Sequence, residues 1–243
     1  MLQIRDFADD RLVSGCIYCG GRDDTREHVP SRAFLDAPYP ENLPVVGACQ
    51  PCNAGFSSDE EYLACLLEAV VAGSTDPASI RRSKIAKSLE HSPTLRSRID
   101  AARTTTESGT TFQPEVERVA RVLTKLAVGH AAYELAQSRL GSPSRIWWHP
   151  IDQLNPAERG AFEAPDVTSV YGELGSRGMQ RLVMAQLPTT TESGQLAIMD
   201  VMLNDWIEVQ PGRYRYHTSD DGESVCVRMV IADYLAVEID WEY

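Results

Sequence analysis

The sequence predicts an α+β protein: a small metal-knit module first, helices in the middle, and an antiparallel sheet at the end. Three observations predict it. Residues 14–56 are rich in Cys, Gly, Pro and Asn and hold no long periodic segment. From Ser57 to Gly141 apolar residues recur at helical spacing. From Leu182 onward short apolar runs alternate with polar residues between turn signals.

Each element has its own local reason. SSDEEYLACLLEAVVAG reads as a helix opened by a Ser/Asp–Glu capping box, with Tyr62, Leu66, Ala69 and Val70 on one face and Gly73 as its stop. Residues 78–103 read as helix broken at Ser92-Pro93. Residues 114–141 form the clearest helix, with Val119, Leu123, Leu126, His130 and Tyr133 as its apolar stripe and Gly141 as its end. Strands are expected at Leu182–Leu187, Gln195–Val201 and Ile207–Val209. A hairpin is expected where RYRYHT and SVCVRMVI flank SDDGE. Leu235, Val237, Ile239 and Trp241 alternate with Ala236, Glu238, Asp240 and Glu242, the pattern of a half-buried strand. The chain thus divides into residues 1–75, a metal module; 76–145, a helical region with a basic patch; and 146–243, a β-rich region.

Composition bounds the function. At 43% hydrophobic and 24% charged residues the chain is an ordinary globular protein, and no apolar run is long enough to span a bilayer. The N-terminal MLQIRDFADD carries acids where a signal peptide would carry an apolar core, so a cytoplasmic protein is expected and no membrane partner. A net charge of -12 opposes phosphate binding in general. The charge is uneven, however. Residues 1–75 hold 5 basic and 12 acidic side chains (net -7), 76–145 hold 12 and 7 (net +5), and 146–243 hold 6 and 16 (net -10). Within the basic middle, RRSKIAKS offers Arg81, Arg82, Lys84 and Lys87 either as nucleic-acid contacts or as a solvated helix face.

Four of the six cysteines fall in two Cys-x-x-Cys pairs, Cys16 with Cys19 and Cys49 with Cys52. Two residues between thiolates let both reach one tetrahedral ion, and two such pairs close a four-sulfur site with no open position. Such a site is structural, and zinc is the expected ion. Cys65 and Cys226 stand alone in apolar runs and read as small core residues. Among the other histidines, His130 reads as core and His91 as exposed. His149 lies beside Trp147 and Trp148, which could stack on a base but read rather as packing, and His217 sits in a strand with no partner signal.

Between the pairs lies TREHVP, residues 25–30, and Asn53 follows Cys52 directly. This order resembles the HNH, or ββα-metal, endonucleases in their four-cysteine form, such as recombination endonuclease VII. The resemblance covers residues 14–62, about a quarter of the chain. It implies a treble-clef zinc module in which Glu27 and Asn53 hold a catalytic Mg²⁺ or Mn²⁺ and His28 is the general base. Glu60 stands where an additional ligand or orienting group would fall, or else serves helix capping. Glu27 departs from the family's usual Asp or His. The implied function is metal-dependent hydrolysis of phosphodiesters in nucleic acid, DNA favoured over RNA, and bacterial defence against phage is a context it would suit. The competing reading is a non-catalytic, zinc-stabilised adaptor that binds nucleic acid or protein. A partner protein or homodimer is expected on the sheet, at an edge strand near Trp241.

Overall fold

The computed structural model describes residues 14–243 apart from 108, 139, 169–175 and 192, so the N-terminal MLQIRDFADD lies outside the described residues. The first elements are a two-stranded antiparallel hairpin, β1 (Thr25–His28) and β2 (Val45–Ala48), with Thr25 opposite Ala48 and His28 opposite Val45. Helix α1 (Gln50–Gly55) follows, then α2 (Ser57–Ala72). The capping box expected at α2 does not form. Phe56 keeps a helical conformation between the two helices, and no side chain caps α2. The acids available for such a box, Asp59 and Glu60, are instead turned onto basic side chains of a later helix. Gly73 ends α2 with a left-handed φ of 64°, as its sequence position predicts.

Helix α2 buries Tyr62 through Ala69 without interruption. That is the signature of a central helix rather than one with a single apolar face. Helices α3 (Ser83–His91) and α4 (Pro93–Ala101) break at Ser92, as expected. A small hairpin, β3 (Arg103–Thr106) with β4 (Gly109–Phe112), was not legible in its Thr-rich sequence. Helix α5 (Val116–Leu135) carries the expected stripe, but it stops at Ala136, whose φ is 58°, well before Gly141. The N–H groups of Ala136 and Gln137 both turn back to the Ala131 carbonyl, and the Gln137 amide reaches Asp220. Gly141 has another role: its carbonyl accepts the Trp241 indole N–H.

Strand β5 (Arg145–Pro150), also not foreseen, starts the main sheet, and α6 (Pro156–Glu163) follows with an Asn155–Glu158 capping box. Next come β6 (Asp166–Thr168), α7 (Arg177–Arg181), β7 (Val183–Thr190) and β8 (Leu196–Asn204). The last strands are β9 (Ile207–Gln210), β10 (Tyr214–Asp220), β11 (Ser224–Ile231) and β12 (Leu235–Glu242). The main sheet is antiparallel in the order β5-β12-β11-β10-β9, and a second sheet runs β6-β8-β7. The predicted hairpin at SDDGE joins β10 to β11. There the Asp221 carboxylate accepts from the N–H groups of Glu223 and Ser224.

One face of the main sheet, with Tyr214, Tyr216, Val227, Met229, Val237 and Ile239, joins α2 and α5 in the principal core. That core also takes Ile17, Val29 and Val46 from the N-terminal hairpin region, so all three segments of the chain contribute to it. On the other face Val230 and Ala236 pack with Ile151 and Phe162, and partly buried Trp147 joins them. The edge expected near Trp241 is not an edge. Strand β12 lies between β5 and β11, and Trp241 is buried. The chain is mixed α+β, with its antiparallel sheet toward the C-terminus. Among the described residues no helix is long and apolar enough to cross a membrane.

Candidate metal centre and the strand beside it

The four paired cysteines converge. The sulfurs of Cys16, Cys19, Cys49 and Cys52 all lie within 4.8 Å of one another, and Cys19 Sγ is 3.7 Å from Cys49 Sγ. A disulfide needs sulfurs about 2.05 Å apart. Four thiolates about 2.3 Å from a tetrahedral ion stand about 3.8 Å from each other. The spacing therefore suits a metal and no covalent bond.

Local sequence builds this arrangement. Cys16 N–H donates to the Gly21 carbonyl at 2.8 Å, and Gly20 N–H donates to the Cys16 carbonyl at 2.8 Å, closing the first pair into a tight turn. Ile17 N–H donates to the Gly47 carbonyl at 3.1 Å and so ties the turn to β2. Residue 47 must be small: a Cβ there would stand 2.6 Å from an Asp23 carboxylate oxygen and 3.0 Å from the Gly15 carbonyl. Cys49 is the cap of α1, which places Cys52 one turn into the helix. Burial pushes the Cys16 thiol up, but N–H groups of Cys49, Cys19 and Tyr18 aimed at the sulfur outweigh it and bring the thiol down to about 7. Donors aimed at sulfur are what a metal-bound thiolate needs, and the donor set fits a soft ion such as zinc.

The residues beside the cluster divide into three cases. Asn53, in the first turn of α1, donates its amide nitrogen to Thr25 Oγ1 at 3.2 Å and to the Arg26 carbonyl at 3.4 Å. It clamps the helix to β1, and those two acceptors identify the other amide atom as the oxygen.

Glu27 and Glu60 are brought together, with an ammonium between them. Lys125 Nζ stands 2.7 Å from Glu27 Oε1 and 2.5 Å from Glu60 Oε1, and all three side chains are buried. Burial raises the Glu27 carboxyl above the ordinary range; Lys125 pulls it back, and Glu60 adds to the rise. The Tyr18 hydroxyl is buried close by without a partner, its pKa raised by burial first and then by Glu27 and Glu60.

His28 is half-buried. Its Nδ1 has no hydrogen-bond partner, and burial lowers the ring's pKa first, the charge of Arg32 next. The Pro44 carbonyl acts the other way and favours a ring N–H. Among the described residues, the four cysteines are the only group of three or more His, Cys, Asp or Glu side chains arranged to hold an ion.

No family model, curated protein or solved structure matches the chain.

Lys125 is a site residue that no sequence motif marks. Its signal lay in the spacing of Arg118, Arg121 and Lys125, which puts three cations on one face of α5. That face meets α2. Asp59 receives Arg118 Nε at 2.7 Å and Arg121 Nη1 at 3.0 Å. Arg118 and Lys125 dock helices, while Arg121, bound to Asp59, keeps 54% of its side chain exposed.

Arg82 is not placed to contact nucleic acid. It is buried, with Nε 2.6 Å from Asp36 and Nη groups on the carbonyls of Ala33 and Leu35. Helical periodicity turns it inward while Arg81, Lys84 and Lys87 stay exposed. His217, with no partner signal in the sequence, sits in strand β10. It is fully buried, with Asn204, Arg228 and Asp166 as partners. His130 is buried, as its place on the stripe predicts, and His91 is exposed.

Proposed function

We propose that the chain is a metal-dependent endonuclease of the HNH type, cutting phosphodiester bonds in nucleic acid with His28 as general base and zinc as a structural ion. The observation that carries this reading is the division of labour in Asn53. Its nitrogen is committed to β1, its oxygen is left over, and the strand it clamps bears Glu27 and His28. An adaptor has no need of a spare amide oxygen on a helix clamped to a strand that carries an acid and an imidazole in succession.

Glu27 and the Asn53 oxygen would hold the second cation, a hard ion such as Mg²⁺ or Mn²⁺ that takes carboxylate and amide oxygens. When bound, it supplies positive charge to the phosphate and to the leaving oxygen. Lys125 engages one Glu27 oxygen and fixes the carboxylate's position. His28 takes the proton of the attacking water. The Pro44 carbonyl favours an N–H on the ring, and Nδ1 is then the nitrogen with a lone pair; it is buried and unpartnered in this structure, so the role requires the ring to be uncovered when substrate binds. The exposed Arg81, Lys84 and Lys87 remain candidates to meet the phosphate backbone, with DNA the favoured substrate.

A second reading is favoured by Lys125 itself. An ammonium already neutralises Glu27 and Glu60, which is what a non-catalytic zinc adaptor would keep. One experiment separates the two. Purified protein is incubated with plasmid, single-stranded DNA and RNA in Mg²⁺ or Mn²⁺, beside His28→Ala. The nuclease reading expects cleavage that drops by about a hundredfold to ten-thousandfold in the variant. Cleavage that survives the substitution removes His28 from the mechanism, and no cleavage on any substrate leaves the adaptor.

A further inference from the structure

The half-buried arginines of this fold are mostly spent on carboxylates; Arg32, on the turn after β1, is not. Arg118 and Arg213 each bury a guanidinium nitrogen without a hydrogen bond, but each places another nitrogen on an acid, Asp59 and Glu68 respectively. The Nε of Arg32 is buried without a partner, and no carboxylate pairs with this side chain among the described residues. The residue is half-buried, so water does not solvate its charge freely. A partly desolvated guanidinium without an acceptor costs free energy, and such a group marks a place where an acceptor arrives.

The turn holds that guanidinium in a fixed place. Arg32 opens a short 3-10 turn (Arg32–Phe34) capped by Ser31, whose Oγ accepts from the Ala33 N–H at 3.3 Å. Val29 before it and Phe34 and Leu35 after it belong to the principal core. Arg82 donates to the Ala33 and Leu35 carbonyls at 3.0 and 2.5 Å and so pins the backbone from within. The Tyr39 ring takes the face of the Arg32 guanidinium, with its centroid 5.2 Å from Cζ. Stacking uses the flat face of the ion and leaves its N–H edge for acceptors in the plane. Four residues back, at the end of β1, His28 Nδ1 is also buried without a partner. Burial lowers that ring's pKa first and the charge of Arg32 next, so the ring lies within the field of the guanidinium. A fixed, forked cation suits an anion with more than one acceptor oxygen, and a phosphodiester presents two.

We propose that Arg32 is a phosphate-binding residue, holding a phosphodiester of the nucleic acid beside His28 without help from the second cation. The choice of a phosphodiester over another anion rests on the nuclease reading above; the unpaired guanidinium does not. The test is binding of a fluorescently labelled DNA duplex to the full chain with no Mg²⁺ or Mn²⁺ added, read by anisotropy over a range of salt. Arg32→Ala should bind about tenfold to a hundredfold more weakly, with a salt dependence shallower by about 0.9 in log–log slope. Arg32→Lys should regain the slope but only part of the affinity, because an ammonium lacks the fork. Its melting temperature should stay at the wild-type value, since no described acceptor is lost. Equal binding by wild type and Arg32→Ala overturns the proposal, and so does a wild type that binds no DNA. Affinity lost only in step with a fall in melting temperature makes Arg32 structural and overturns it too. DNA held through Arg32 but never cut retires the nuclease reading and keeps this site. Cleavage with undiminished binding in Arg32→Ala does the reverse.

Discussion

His130 is neutral in the fold because nothing near it can compensate a charge. It is fully buried, its Nε2 lies 2.9 Å from the Tyr214 hydroxyl, and its ring stacks on Tyr216 at 3.8 Å. Burial, and then the charge of Lys125, lower its pKa from 6.5 to about 3. In the unfolded chain the ring gains a proton below 6.5, while in the fold it stays neutral until about 3. The unfolded state therefore binds more protons in that window, and stability falls as pH falls, by at most about 1.4 kcal/mol per pH unit from this group. Above 6.5 the contribution is fully present. His28 and His217 are also lowered and act in the same direction, so the measurement must be differential. Urea unfolding of wild type and His130→Gln between about pH 5 and about pH 7 should show the wild type losing more stability on acidification. Parallel curves would mean the imidazole is not held neutral. The same contrast between residue type and setting explains what sequence hid. His130 lay on a legible stripe, whereas His217 has partners on β6, β8 and β11; only Arg228, opposite it in the foreseen β10–β11 hairpin, follows from a local pattern, and Asp166 and Asn204 do not.

At the scale of elements, the hairpin and the two helices after it are held by two different devices, each testable. The first is the sulfur cluster. Cys49→Ser with Cys52→Ser leaves two ligands, so about one zinc per chain should be lost. Because Ile17 and Val46 belong to the principal core, the melting temperature should drop and the N-terminal amides should lose exchange protection. A well-folded native sample without metal would remove the zinc site. The second device is the docking of α2 and β1 on α5 through Lys125. Lys125→Met leaves Glu27 and Glu60 buried without their cation, which typically costs about 3–5 kcal/mol. Adding Glu27→Gln and Glu60→Gln should recover part of that loss in denaturant unfolding. If Lys125→Met is neutral, the ammonium does not hold the elements together. The sulfur cluster was legible because Cys-x-x-Cys is a local pattern with one dominant use. The Lys125 bridge joins residues 98 and 65 positions apart. Only the spacing of three cations on α5 hinted at it. Helices α3 and α4 and the last four strands were legible from periodicity and turn residues. Strands β3, β4 and β5 were not, because Thr-rich and Trp-rich segments carry no clear period of two.

For the molecule as a whole, composition suggested three segments, while packing joins them. The principal core draws Ile17, Val29 and Val46 from the first segment, Leu123 and Leu126 from the second, and Met229, Val237 and Ile239 from the third. Helix α5 is the shared wall: it faces α2 on one side and β10, β11 and β12 on another. A segment whose apolar side chains are completed by the others has no reason to persist alone. Metal-loaded protein should accordingly unfold in one transition, with calorimetric and van't Hoff enthalpies in agreement and fluorescence tracking circular dichroism. Limited proteolysis should not release residues 1–75 as a stable folded piece. The β7–β8 arm is the exception, since its exposed apolar side chains lie outside that core. It can fray or be cut without loss of the main transition. Two separated transitions, or a folded 1–75 fragment that keeps its metal, would show that the N-terminal module is an independent domain, and that the packing of Val29 and Val46 on the rest of the chain is dispensable.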